Sequence, residues 1–211
     1  MNSTMMDFPL TLPHLLERAG KLFHNEEIVT RLPDKTLHRY TFGDFYRRAR
    51  QLASALQRAG VRKGDKVATL SWNTYAHLEA YFGIPIMGGV LHPLNLRLHP
   101  SDIAYIAQHA GDKILIIDDV LLKLYEAIKG HVSFEKVVVV PLTGQPVPEG
   151  LTSYEDFLKT GDSESFDYPE LDERDGLGMC YTSGTTGKPK GVVYSHRSMV
   201  LHSLGSALPD A

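Results

Sequence analysis

Apolar residues change their spacing several times along this chain, and each change marks an element. In "TLPHLLERAGKLF" Leu12, Leu15, Leu16 and Ala19 fall on one helical face, with Pro13 in the first turn and Thr11 as the expected cap. "EEIVTRLPDKTLHRYT" reads as two short strands around the turn Pro33-Asp34-Lys35, a small N-terminal hairpin. "TFGDFYRRARQLASALQRAG" predicts a long helix opened by Thr41, with Asp44 in its first turn and Gly60 at a left-handed stop.

Strand-like and helix-like segments then alternate. "KVATLS", "VLHPLN", "KILIID" and "KVVVV" read as strands, separated by the helical segments "NTYAHLEAYFGIPIMGG", "HPSDIAYIAQHAG" and "DVLLKLYEAIKG". The runs 114–117 and 137–140 are apolar without alternation, as in strands covered on both faces. This order predicts βαβ crossovers, hence a layered α/β fold with a mainly parallel sheet flanked by helices. Residues 141–175 break the rhythm: a turn-rich loop, one short helix in "TSYEDFL", and the acidic run "KTGDSESFDYPELDERDG", which reads as a solvated surface connection. Beyond it, "LGMCYTSG", "KGVVYS" and "HRSMVLHSLGSAL" predict strand, loop, strand and helix, with Ser195 as N-cap.

Composition narrows the class. The 211 residues are 43% hydrophobic and 22% charged, as in globular proteins, and such a length can bury roughly 70–75% of its unfolded surface. A net charge of -3, with cations scattered among acids, gives no electrostatic case for nucleic acid. The single cysteine, Cys180, rules out a disulfide within the chain, and a cytoplasmic setting fits, with peripheral contact to a membrane allowed. The start lacks a basic and then apolar leader. The longest uncharged stretch, 80–96, holds Gly-Gly, two prolines and His92, which argues against a membrane span.

The segment Tyr181 to Gly191, "YTSGTTGKPKG", carries the candidate chemistry. Gly184 and Gly187 let backbone N–H groups turn toward a ligand, and successive N–H groups form an anion-binding hollow. Thr182, Ser183, Thr185 and Thr186 can donate to phosphate oxygens or ligate a divalent cation, while Lys188 and Lys190 supply positive charge. It is not a Walker loop, because Lys188 precedes proline and a strand, not a helix, follows; nor is it G-x-G-x-x-G. Composition alone would equally suit a long turn in a β-hairpin.

The other candidates read as structure. Histidines 14, 24, 38, 77, 92, 99, 109, 131, 196 and 202 are dispersed, with no metal spacing, and read as satisfied or surface residues. Cys180 reads as a buried small hydrophobe and not a nucleophile. Trp72 follows a strand at the end where open α/β sheets place sites, and reads as core or rim packing.

The order of residues 181–191 resembles the signature of the adenylate-forming superfamily, and "VVYSHRSMVLHSL" is most similar to the fatty-acyl-CoA synthetases. Residues 41–119 are similar to the same group, so the likeness extends over nearly the whole chain. The resemblance implies part of the large N-terminal domain of an adenylate-forming enzyme. It further implies that fatty acid and ATP give an acyl-adenylate and pyrophosphate, and that CoA then displaces AMP. Thr182 is the implied Mg²⁺ contact, and Ser183, Gly184, Thr185, Thr186, Gly187, Lys188 and, less directly, Lys190 the implied phosphate contacts. Later family motifs have no counterpart, so residues 1–211 are expected to form a partial adenylation domain with 141–175 as a loop-rich connection and no catalytic residue of its own. Such a piece is expected to be inactive alone and to expose apolar surface; a homodimer is compatible with it. An aryl- or short-chain acyl-CoA synthetase, or a non-catalytic phosphate-binding or interaction piece, are the alternatives.

Overall fold

The computed structural model describes residues 4–182 and 188–209. Helix α1 (Pro13–Leu22) leads into a hairpin of β1 (Glu27–Arg31) and β2 (Leu37–Thr41), paired antiparallel. Then come α2 (Phe42–Arg58), β3 (Lys66–Leu70), α3 (Tyr75–Ile86), β4 (Val90–Pro93), α4 (Pro100–Ala110) and β5 (Asp112–Asp118). After a 3₁₀ turn at Asp119–Leu121 follow α5 (Leu122–Ile128), β6 (Lys136–Val140), β7 (Thr152–Ser153), α6 (Tyr154–Lys159), β8 (Gly176–Thr182), β9 (Lys190–Ser195) and α7 (His196–Ser206).

The main sheet has the order β7-β6-β5-β3-β4-β8-β9. Every neighbouring pair is parallel except β8 and β9. The carboxyl ends of β3, β4, β5 and β8 therefore lie along one rim. Helices α1, α2, α3 and α6 share one core with the inward side chains of one sheet face, including Leu52, Leu56, Ile84, Leu91, Ile116 and Val138. Helix α4 and its neighbours share the core of the other face, with Ala68, Leu70, Ile103, Leu115 and Val139. Residues 114–117 and 137–140 are buried throughout, as their unalternating apolar runs require. Among the described residues no helix is long and apolar enough to cross a membrane.

Helix α2 begins at a capping box: Thr41 Oγ1 accepts from Asp44 N (3.1 Å), and Asp44 Oδ2 accepts from Thr41 N (3.1 Å). Its stop follows at Gly60, with φ +88°. Helix α1 departs from expectation. Its N-cap is Leu12, not Thr11, and no side chain caps it; the Leu12 N–H instead donates to His196 Nδ1 across the fold (3.2 Å). A tertiary partner here replaces the local cap.

The acidic connection is also more than a solvated loop. Arg50 of α2 donates to the carbonyls of Ser163 (3.0 Å) and Phe166 (2.7 Å), and Phe166 and Leu171 are buried. Gly161 lies so close to α2 that a Cβ there would sit 2.1 Å from the Gln51 carbonyl oxygen. Phe166 and Tyr168 pack against the core beside α2, while Glu173 and Asp175 are tied to Arg197 and Lys63.

His196, at the start of α7, is fully buried, and burial pushes its pKa down to about 4, with Lys63 adding to the effect and Asp175 opposing it. An unfolded histidine takes up a proton near pH 6.5. The folded state therefore resists protonation, and the stability due to neutral His196 is complete above pH 6.5 and is lost as pH falls toward 4. We expect unfolding free energy to drop by an amount approaching ~3 kcal/mol over that interval from this group. Urea titrations of wild type and His196→Gln across pH 4–7 would check it; identical pH slopes would refute the assignment.

Candidate functional site

The site is built on the last two strands of the sheet. Leu177 and Met179 bury β8 in the core, and β9 returns antiparallel with Tyr181 opposite Gly191 and Thr182 opposite Lys190. The two strands form a hairpin: a strand fixed in the core delivers Thr182 to the carboxyl rim, and a strand, not a helix, receives the chain again. Thr182 and Lys188 are exposed at this mouth, and Lys190 is an exposed residue of β9 itself. The other predicted contacts, Ser183, Gly184, Thr185, Thr186 and Gly187, lie outside the described residues.

Sequence reasoning missed the side chains that hold this mouth. The Tyr181 hydroxyl pairs with His109 Nδ1 of α4 (2.7 Å), and the Tyr181 ring packs against His92 with centroids 5.3 Å apart. His92 is itself fixed by Asp112, whose two carboxylate oxygens each lie 2.8 Å from Nδ1. Both residues are buried, and burial raises the Asp112 pKa while His92 opposes the rise. The Lys188 ammonium lies over the Tyr105 ring, 4.9 Å from its centroid. Nothing in the sequence marks these partners beyond their being histidines and tyrosines near strand and helix ends, because Tyr181 and His109 are 72 residues apart.

The opposite face of β8 borders a groove of about 440 Å³ between α3, α7, β8 and β9. Tyr81, Leu91, Met179, Cys180, Tyr194 and Met199 are among its lining residues, so it is mainly apolar. Cys180 is exposed here, not buried as its apolar neighbours suggested. The chain beside it, α7, leaves this side of β8 only partly covered. Partial burial still raises the thiol pKa, which disfavours a thiolate nucleophile. Cys180 and Thr182, two apart on one strand, face the same side. The groove therefore opens toward the mouth of the loop.

Elsewhere on the rim, the Trp72 side chain is half-exposed, and its backbone N–H donates to Asp118 Oδ2 (2.7 Å). Burial drives Asp118 up to about 6. His77 is satisfied on both ring nitrogens, by Thr69 Oγ1 and the Trp72 carbonyl, each at 3.1 Å. Among the described residues, no three His, Cys, Asp or Glu side chains group as metal ligands.

Comparison with known proteins agrees with this geometry. The family model described as "AMP-binding enzyme" matches residues 16–208. A long-chain-fatty-acid–CoA ligase of Thermus thermophilus is 50% identical over 208 residues, covering 99% of this chain and 37% of the relative. A 3-methylmercaptopropionyl-CoA ligase of Ruegeria pomeroyi is 41% identical, covering 100% of this chain and 40% of the relative. The crystal structure of an anthranilate CoA ligase in complex with anthranoyl-AMP superposes with TM-score 0.80 at 28% identity, covering 90% of this chain and 36% of that one. The chain thus spans about two fifths or less of the length of these relatives. With a family match over more than nine tenths of its residues, it belongs to the AMP-binding enzyme family.

Proposed function

We propose that this chain is the N-terminal part of an adenylation domain in an ATP-dependent carboxylate–CoA ligase, with a fatty acid as the substrate class. The observation that carries the reading is the placement of both features on β8: a cationic, hydroxyl-bearing loop mouth at its end and an apolar groove along the same side. An acid with an apolar tail fits the groove while its carboxylate reaches the mouth, where the triphosphate of ATP would be held. Carboxylate attack on the α-phosphorus forms the acyl–phosphate bond and breaks the α–β bridge, so pyrophosphate leaves with the electron pair. The sulfur of CoA then attacks the acyl carbon and AMP leaves. Loop N–H groups, Thr182 and Lys188 would hold the leaving phosphates in line and offset their developing charge.

Mg²⁺ belongs to the same reading. Thr182 supplies one exposed hydroxyl, which suits an ion that keeps phosphate oxygens and waters as its other ligands. The ion would supply charge neutralisation on the phosphates. The exposed apolar residues Leu201, Leu204 and Leu208 of the α7 region support a larger parent, since a further part of the polypeptide would cover them.

The test uses the full-length polypeptide that contains this chain. Pyrophosphate exchange into ATP is measured with saturated acids from two to sixteen carbons and with an aromatic acid. Exchange dependent on medium or long chains supports the reading. Exchange restricted to the aromatic or shortest acids would replace the substrate class, and none with any acid would overturn the ligase assignment.

A further inference from the structure

Resting on the phosphate-loop reading above, we propose that Tyr105 and His109 of α4 are positioning residues: one helix seats both ends of the loop. The entering end is held by Tyr181, which pairs with His109 Nδ1 at 2.7 Å with its ring edge-on to the imidazole, 5.9 Å between centroids. The returning end is held by Lys188, whose ammonium lies 4.9 Å from the Tyr105 ring centroid. Tyr105 and His109 are four residues apart on a helix and so face the same way; their rings lie 5.5 Å apart at 30°. The two grips therefore form one aromatic seat.

Three further contacts stiffen it. The Tyr181 ring leans over Gly191, where a Cβ would lie 3.1 Å from ring carbons, so a side chain there would push the ring by a few tenths of an ångström. His92 backs the other side of Tyr181, and its ring is locked by the buried Asp112 carboxylate. Helix α4 is anchored in the core by Ile103, Ile106 and Ala107. The seat is thus tied to rigid parts of the fold. Its consequence is preorganisation: with both ends placed before ATP arrives, binding orders fewer rotamers of a long lysine side chain and less loop backbone. Helix α4 lies outside the signature segment and, among the described residues, meets the loop at Tyr181 and Lys188.

The test is kinetic, in the full-length ligase, by pyrophosphate exchange. Tyr105→Leu should raise KM for ATP about two- to fivefold, with KM for the carboxylate unchanged, because about one cation–π contact and its ordering are lost. Tyr105→Phe keeps the ring face and should behave as wild type. Tyr181→Phe, which removes only the hydroxyl, should raise KM for ATP about threefold to tenfold. Tyr105→Leu combined with Lys188→Ala should be no worse than Lys188→Ala alone, since the two act through one contact. Additive effects, an unchanged KM in Tyr105→Leu beside a raised one in Lys188→Ala, or a lowered KM, meaning that the ring withholds the lysine, would each overturn the seat. An unchanged KM for ATP in Lys188→Ala itself would instead overturn the phosphate role of that lysine, and the seat with it.

Discussion

Arg48→Met should lower the unfolding free energy by about 3–5 kcal/mol at pH 8, enough to cut the thermal midpoint by about 10 °C. Glu79 of α3 is fully buried, and burial raises its pKa to about 7 even though Arg48 opposes the rise. Arg48 Nε donates to Glu79 Oε1 (2.6 Å), and its other two nitrogens reach the carboxylate of Glu155 on α6 (3.0 and 2.7 Å). The Tyr154 hydroxyl donates to Glu79 Oε2 (2.8 Å). One guanidinium thus ties α2, α3 and α6 together. Methionine fills much of its volume but leaves a carboxylate without its cation, and the variant must then either hold an unpaired charge or protonate it.

The pH dependence follows from the direction of the shift. A carboxyl whose folded pKa is raised binds protons in the folded state that the unfolded chain has already released. Its stability contribution is therefore complete at low pH and is lost as pH rises from about 4.5 through the folded value. Removing Arg48 raises that value further, so the cost of Arg48→Met should be smallest near pH 5 and grow toward pH 8. Adding Glu79→Gln should recover more than half of the loss at pH 8. Chemical denaturation at both pH values decides it: a cost under ~1 kcal/mol, or one independent of pH, would show that the pair does not stabilise the fold.

The second large effect is on chemistry. If the proposed function is right, Thr182→Val in the full-length polypeptide should lower kcat for pyrophosphate exchange about a hundredfold, as when one positioned group facing developing charge is removed. Valine keeps the β-branched shape at the end of β8, and Thr182 is exposed, so the strand pairing with Lys190 should persist. Intact circular dichroism with exchange within threefold of wild type would remove Thr182 from the site.

Local signals explain what the sequence disclosed. The α2 capping box, the Pro33–Lys35 turn and the fully apolar runs of β5 and β6 each state their structure within a few residues, and the structure repeats them. The start of α7 follows the same logic, with Ser195 Oγ accepting from Ser198 N (3.2 Å). The sheet order did not follow, because alternation predicts parallel strands without saying which lie side by side. Strand β7 has two residues, too few for any pattern. Cys180 was misjudged because an apolar run does not reveal which side of a strand its neighbours cover. Likewise the acidic connection hid Phe166, Tyr168 and Leu171 among its charges. Around the loop, the glycines and hydroxyls announced themselves by order, whereas Tyr105, His109, His92 and Asp112 become a group only when α4 folds over β8. Glu79 left one mark: an acid amid the apolar residues of α3, where no polar face exists to carry it.

Because β3, β4, β5 and β8 run in the same direction, the fold has two unlike borders. At the amino border, Lys113 binds the Gly60 carbonyl (2.8 Å) and Asp65 (3.0 Å), and Asp65 in turn takes the Arg62 N–H (2.8 Å). These fastenings close the turn between α2 and β3. The carboxyl border holds the loop mouth, Trp72 and Asp118. The side chains proposed for chemistry thus stand at the border away from these fastenings, so they can be exchanged over generations while the chassis beneath them keeps its shape.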